Sequence, residues 1–208
     1  MNLLLLDLQY FPSINFFKIS NTYTNIKFTL YDSYRKQGFQ NRTRIASSSG
    51  VLCLTVPLEG GRDQRKPIGE VLISNRSAWQ QQHWRTLCSC YNRSPWFNYY
   101  EPDLQTLFTT PFERLVDWNL ACLKWVQQQL GLNQTLILED KYQEATQGVN
   151  YQDWRHKLTP KTLDQEFPDF RRYPQVFEEV TGFIPHLSIL DLLFCKGKQS
   201  LGYLQLKK

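Results

Sequence analysis

The chain opens on a short apolar run, Leu3 to Leu8, of the kind that reads as a buried strand. Beyond Pro12, Ile14 to Ile19 predicts a short helix. Ile26-Lys27-Phe28-Thr29-Leu30-Tyr31 then alternates with period two, as a half-buried strand does. Val51 to Val56 predicts another strand, stopped by Pro57, and Ile68 to Ile73 a further one beyond the polar loop Gly60 to Pro67. From Trp79 the period changes: Trp79 to Tyr91 has a helical pattern, and an aromatic segment follows from Pro95 to near Pro102. Phe112, Leu115, Val116, Asn119, Leu123, Val126 and Leu130 recur at three- and four-residue spacing, an amphipathic helix with Gly131 where a C-cap glycine belongs. Leu136 to Leu138 reads as one more strand. Residues 140–172 are polar without a clear period, a long surface loop of the kind that often serves as a lid or binding loop. Pro174 to Val180 and Leu187 to Phe194 predict closing helices.

Strands first, helices in the middle and a returning strand predict a mixed α/β (α+β) fold, with one domain over residues 1–208 and a mixed sheet flanked by helices. The strands near 3–8, 26–31, 51–56 and 68–73 are expected in one sheet. No glycine-rich phosphate loop follows the first strand, which counts against a doubly wound nucleotide-binding fold.

A composition of 41% apolar and 14% aromatic residues is that of a globular chain with a sizeable core. The 24 basic and 19 acidic residues leave a net charge of +5, spread along the chain. That balance suits a small anionic ligand and argues against nucleic acid, since the basic residues form no stripe. Five cysteines form no C-x-x-C pair and read as reduced, mostly buried thiols. The N-terminus lacks a basic region and Asp7 interrupts the leucines, so a signal peptide is not expected. No run approaches the ~18 apolar residues of a membrane span. A cytoplasmic location without a membrane span is therefore expected. The pattern is silent on oligomeric state, and no cofactor is expected.

Candidate chemistry centres on Trp79 to Tyr91. At about 100° per residue, His83, Trp84, Leu87, Cys88 and Tyr91 share one face. His83 therefore borders an apolar stripe. Either it is a core-edge histidine satisfied by its neighbours, or it is a general base kept neutral by partial burial. Only His83, His156 and His186 carry imidazoles, and they lack H-x-x-x-H spacing, so no metal site is expected. No G-x-S-x-G nucleophile elbow occurs.

Four stretches together resemble the WbqC-like family of bacterial proteins, across nearly the whole chain. "QYFPSINFFKI" (9–19) is similar to its opening Q-P-x-Y-x-P segment, and "GFQNRTRI" (38–45) to its Asn-Arg-x-x-Ile motif. "HWRTLCSCYNRSPWFNYY" (83–100) resembles a helix with histidine, then tyrosine, then Pro-Phe. "GFIPHLSILDLLFCKG" (182–197) resembles a closing Pro-Asn-Leu-Ser-Ile-Leu-Asp segment. The chain departs from the pattern at Leu6-Asp7-Leu8, where many members have His-Gln-Pro, and at His186, where asparagine is usual.

The resemblance implies a role in O-antigen or other surface-polysaccharide biosynthesis, with transfer of an acyl or aminoacyl (glycyl-type) group to a sugar. The partners would be a sugar or nucleotide-sugar and an acyl or aminoacyl donor. His83 would take the proton and Asp191 would orient it as in a triad, although Ser188 and Asp191 also fit a helix-capping pair. Asn41 and Arg42, with Arg44, would hold the donor or its oxyanion, since arginine presents a planar fork. Tyr10, just past the first strand, and Tyr91 complete the ligand-binding set, with Tyr10 equally readable as a core ring. Arg62, Arg65 and Lys66 read as a solvated loop. Tyr10, Asn41, Arg42 and His83 are expected to converge in one cleft, and His83→Ala is expected to cost little stability. The alternative is a non-catalytic glycan- or nucleotide-sugar-binding protein, using rings such as Trp84, Trp96 and Tyr99. Binding of single-stranded nucleic acid is a third reading, disfavoured by the scattered charge.

Overall fold

The computed structural model describes residues 2–61, 63–142 and 151–205. Arg62 and residues 143–150 of the expected polar loop lie outside them. Four short strands form a parallel sheet in the order β5-β2-β1-β6: β1 (Leu3–Leu5), β2 (Asn25–Thr29), β5 (Thr135–Glu139) and β6 (Tyr151–Asp153). β1 sits between β2 and β6, with Leu4 opposite Ile26 on one side and Gln152 on the other. The leucine run is a strand because both of its neighbours satisfy its backbone and Leu4 is fully buried. Helix α1 (Ile14–Ser20) lies between β1 and β2 in the chain.

A separate antiparallel pair, β3 (Arg42–Ser47) and β4 (Gly50–Thr55), pairs Arg42 with Thr55 and Ser47 with Gly50. The expectation of one common sheet therefore fails. Residues 51–56 belong to this hairpin, and its first strand is not marked by an apolar run, because Thr43 and Ile45 face inward while Arg42 and Arg44 face out. Ile68 to Ile73 is not a strand either. After Pro67 the chain forms a 3₁₀ turn, Ile68–Glu70, in which the Gly69 amide bonds the Leu30 carbonyl. A side chain at Gly69 would crowd Leu30 at 3.2 Å.

Helix α2 (Trp79–Tyr91) matches its expected bounds. Helix α3 (Phe97–Thr109) runs through Pro102, where the sequence predicts an end. Phe97, Tyr100, Leu104 and Phe108 are all buried on one face, and that burial outweighs one lost backbone bond. Helix α4 (Leu115–Leu130) ends at Gly131, whose φ of 65° is the left-handed conformation glycine tolerates. Within the expected loop 140–172 lie β6 and the short helix α5 (Leu163–Glu166). Helices α6 (Glu178–Thr181), α7 (Ile189–Lys196) and α8 (Ser200–Tyr203) close the chain. Helix α7 is buried along nearly all its length.

The core is aromatic: Phe11, Phe108, Trp118 and Trp125 pack with centroids 5.3–6.3 Å apart. Rings of this size contribute about 2–3 kcal/mol each when fully buried. Among the described residues, no helix is long and apolar enough to cross a membrane. The five cysteines are free thiols, three of them buried.

Candidate functional site

Three of the four resemblance-bearing stretches meet in the interior. The Ser188 hydroxyl and the Thr43 hydroxyl both donate to the Phe11 carbonyl at 3.0 Å, and the Ser188 amide bonds the Arg44 carbonyl at 2.7 Å. Ser188 also caps α7, accepting from the Leu190 amide. The fourth stretch joins them through Tyr91. Its hydroxyl accepts from the Ala46 amide at 3.0 Å and donates to Asp191 Oδ2 at 2.7 Å. Tyr173 donates to the other oxygen, Oδ1, at 2.7 Å. Asp191 is fully buried, and burial raises its pKa to about 6 against the pull of these donors.

His83 lies in the same interior. Its Nδ1 is 3.0 Å from the Tyr10 hydroxyl, and Trp79 packs edge-on against the ring. Burial lowers its pKa to about 4, partly opposed by a hydrogen bond to the Thr55 backbone. The Tyr10 hydroxyl and Nδ1 share one hydrogen bond whose direction follows the imidazole tautomer. Tyr10 has no exposed surface and His83 is only 7% exposed.

The expected site residues therefore separate. Tyr10 and His83 meet, but inside the core, where the helix face carrying His83 is covered. Asp191 is occupied by Tyr91, Tyr173 and Gln175 rather than by His83. Tyr91 is fully buried and cannot touch a ligand without opening the core. Asn41 is buried too, accepting from the Tyr34 hydroxyl and donating to the Val56 carbonyl, both at 3.0 Å. The charge of Arg44 opposes protonation of His186. Arg42, part-exposed like Arg44, reaches open space. With Lys36, Gln37, Pro160 and Lys161 it lines a cavity of about 430 Å³, within the range of small-ligand pockets. Its Nε is buried without a partner. Lys36 pairs with Asp63 at 2.7 Å, whereas Arg42 and Lys161 have no acidic partner among the described residues.

Next to this cavity is the carboxyl edge of the parallel sheet. Each strand there delivers one carboxylate: Asp7 after β1, Asp32 after β2, Glu139 at the end of β5 and Asp153 at the end of β6. Arg155 bridges Asp32 at 2.9 Å and Asp153 at 2.6 Å, and its hydrogen bonds hold the Asp153 carboxyl below its ordinary pKa. Lys27 holds Glu139 at 2.8 Å. Asp7 meets an imidazole instead. One oxygen accepts the His156 amide at 2.6 Å and the other lies 3.2 Å from His156 Nδ1. Asp7, His156 and Gln9 line a small crevice with Arg35, Gly38, Phe39, Gln40, Leu158 and Thr159, which neighbour Lys36, Gln37, Pro160 and Lys161 of the 430 Å³ cavity in the chain.

This edge is a favoured place for a ligand on topological grounds. From β1 the chain steps to β2 and then β5 on one side, and β6 returns to the other side of β1. The order reverses between β1 and β6, and open parallel sheets bind ligands outside the carboxyl ends of their strands at such a reversal.

The WbqC-like protein family matches residues 9–158 and 139–203. The chain belongs to the WbqC-like family. It is also 28% identical, over 207 residues covering 86% of this chain and 87% of the relative, to the uncharacterized protein Rv1507c of Mycobacterium tuberculosis. No solved structure matches it. Within this WbqC-like chain, sequence reasoning missed Lys36, Lys161, Gln9, Asp7 and His156 as site residues. Two signals were available: Asp7 breaks the family pattern, and His156 and Lys161 lie in the polar segment expected to serve binding.

Proposed function

We propose that this WbqC-like protein serves surface-polysaccharide assembly by transferring an acyl or aminoacyl group to a sugar carried on phosphate, either as a nucleotide-sugar or on a lipid-linked carrier. The observation that carries the reading is the polar 430 Å³ cavity with Lys36, Arg42 and Lys161 in its wall. Side-chain cations there would take the place of a glycine-rich phosphate loop, and the arginine fork suits phosphate oxygens at charge-assisted distances. Acyl transfer needs donors for the developing oxyanion and a base for the attacking hydroxyl or amine, and the cations supply the first.

A second reading, a binding protein that presents a glycan intermediate to a partner enzyme, is favoured by one observation. Tyr99 is largely exposed and meets the partly exposed Trp96 edge-on with centroids 6.0 Å apart, a surface suited to a sugar face. Trp84, by contrast, is packed between Phe97 and Phe108.

Mass spectrometry of the surface polysaccharide, from cells with the protein, without it and with Arg42→Ala, tests the transfer. Loss of one acyl or aminoacyl substituent in both altered strains is expected. An unchanged polysaccharide in cells lacking the protein would overturn the transferase reading.

A further inference from the structure

The transferase reading leaves open which group takes the proton, and the three imidazoles differ in the one respect that matters. His186 accepts from the Asn15 amide at Nδ1, at 2.6 Å, so its remaining nitrogen carries the proton; that Nε2 lies 3.1 Å from Asp164 but is buried and makes no hydrogen bond. Its side chain is 3% exposed. His83 spends Nδ1 on the Tyr10 hydroxyl inside the core. His156 is turned the other way. Its Nδ1 lies 3.2 Å from an Asp7 oxygen, and because a carboxylate only accepts, that contact favours the tautomer with the proton on Nδ1 and the lone pair on Nε2. The His156 side chain is 28% exposed, and Nε2 has no partner among the described residues.

We infer that Asp7 and His156 form the proton-accepting pair of the transfer, with His156 Nε2 as general base and Asp7 as the positioning residue. The inference rests on the transferase reading and names the residues of its chemical step. Two observations besides the ring orientation support it. The crevice beside the pair has a volume of about 20 Å³, space for one hydroxyl or amine group and no more. Gln9 lines that crevice, is 1% exposed, and its Oε1 is buried without a hydrogen-bond partner. An unsatisfied buried acceptor costs about 1–3 kcal/mol, a cost that an O–H or N–H donor from a ligand removes. The body of an acceptor sugar would then occupy the cationic cavity and its reactive tip the crevice. His156 also has a φ of 65°, a left-handed conformation that a non-glycine residue adopts at some cost and that is common where a side chain is aimed for function.

His156 Nε2 takes the proton of the acceptor O–H or N–H while that oxygen or nitrogen bonds the acyl carbon of a thioester or ester donor. The C–S or C–O bond to the donor's carrier breaks with its electron pair on the leaving thiol or alcohol. The imidazolium returns its proton to that leaving group. Asp7 keeps the Nδ1–H in place throughout and stabilises the transient imidazolium.

Two measurements on the full chain test the pair. In the first, cells lacking the protein are complemented with wild type, His156→Asn, Asp7→Asn or Arg42→Ala, and the polysaccharide is weighed. Asparagine tolerates the left-handed backbone, so His156→Asn is expected to melt within about 3 °C of wild type. General-base catalysis contributes about 10²–10⁴-fold, so a hundredfold loss of the substituent is expected in that strain. A normal substituent with His156→Asn overturns the pair while leaving the transferase reading intact. No substituent change in cells lacking the protein overturns the transferase reading and the pair with it. The second measurement needs no activity: diethyl pyrocarbonate is added to the purified protein and the modified histidines are mapped. His156 is expected to react first, with His83 and His186 protected, and Asp7→Asn is expected to slow His156 several-fold. A His156 that reacts only after unfolding, or at a rate indifferent to Asp7→Asn, would overturn the assignment of an open, carboxylate-oriented Nε2.

Discussion

The interior where α2, β3 and α7 meet and the open edge of the parallel sheet use the same residue types to opposite ends. In the interior, His83 pairs with Tyr10 and Asp191 with Tyr91 and Tyr173, and every one of these side chains is enclosed. At the edge, an aspartate and a histidine contact each other and the imidazole stays 28% exposed. Burial decides the difference. Inside, each polar group is specified by the cost of leaving it unpaired, so its partners consume its chemistry. At the edge, water can satisfy the spare nitrogen until a ligand replaces it.

The comparison predicts large stability effects on one side and small ones on the other. Asp191→Ala strands the buried hydroxyls of Tyr91 and Tyr173 and is expected to cost about 4 kcal/mol. Urea unfolding measures it, and a loss below about 1 kcal/mol would mean the network is not what holds α7 against α2 and β3.

The pH response is next in size, and its two parts have opposite signs. His83 has an ordinary value of 6.5 and a folded value of about 4. The unfolded chain binds its proton first on acidification, so stability is full above pH ~6.5 and declines toward pH ~4, by about 3 kcal/mol. Asp191 goes from an ordinary 3.8 to about 6 in the fold. There the folded chain holds the proton longer, so this contribution is present at low pH and declines, also by about 3 kcal/mol, as pH rises from ~3.8 to ~6. The two offset each other across that window. His83→Gln is therefore expected to leave a protein less acid-sensitive than wild type, and Asp191→Asn one that is more so. Identical pH profiles for the two variants would refute the opposed slopes.

His83→Ala follows, at about 2–3 kcal/mol, because it opens space beside Trp79 and leaves the Tyr10 hydroxyl unpaired. The helix-face pattern alone predicted a small loss, since it placed the ring at the border of an apolar stripe. Smallest of all, Arg42→Ala is expected to shift stability by less than about 1 kcal/mol, as surface changes usually do. Thermal melts check both, and an Arg42→Ala loss as large as that of His83→Ala would erase the contrast between core and edge.

Much of the fold was legible because it rests on local pattern. The α2 and α4 helices show their apolar stripes, and Gly131 and Ser188 mark helix ends by the conformations and bonds those positions require. The strand β3 was not legible, since Thr43 is the buried partner of Ile45 and a threonine does not announce which way it faces. Nor was β6, three residues long and polar, which becomes a strand only because β1 offers it an edge. The candidate site depended on those two elements. Arg42 starts β3 and His156 follows β6, so the residues most open to a ligand stood where pattern was weakest.

What the chain alone determined is its class: a mixed α/β fold built on a leucine strand and amphipathic helices, of WbqC-like type, with few imidazoles and a mild positive charge. Those properties follow from periodicity, composition and motif, which are read residue by residue along the sequence. Only the tertiary structure decided which histidine is enclosed and which is open, because burial depends on what other segments pack over a residue. It brought Asp7 to His156 across 149 positions through the pairing of β1 with β6. It also sent Asp191 to Tyr91 and Tyr173 instead of to His83. A side chain's chemistry is set by its neighbours in space, and strand order, not sequence order, chose those neighbours.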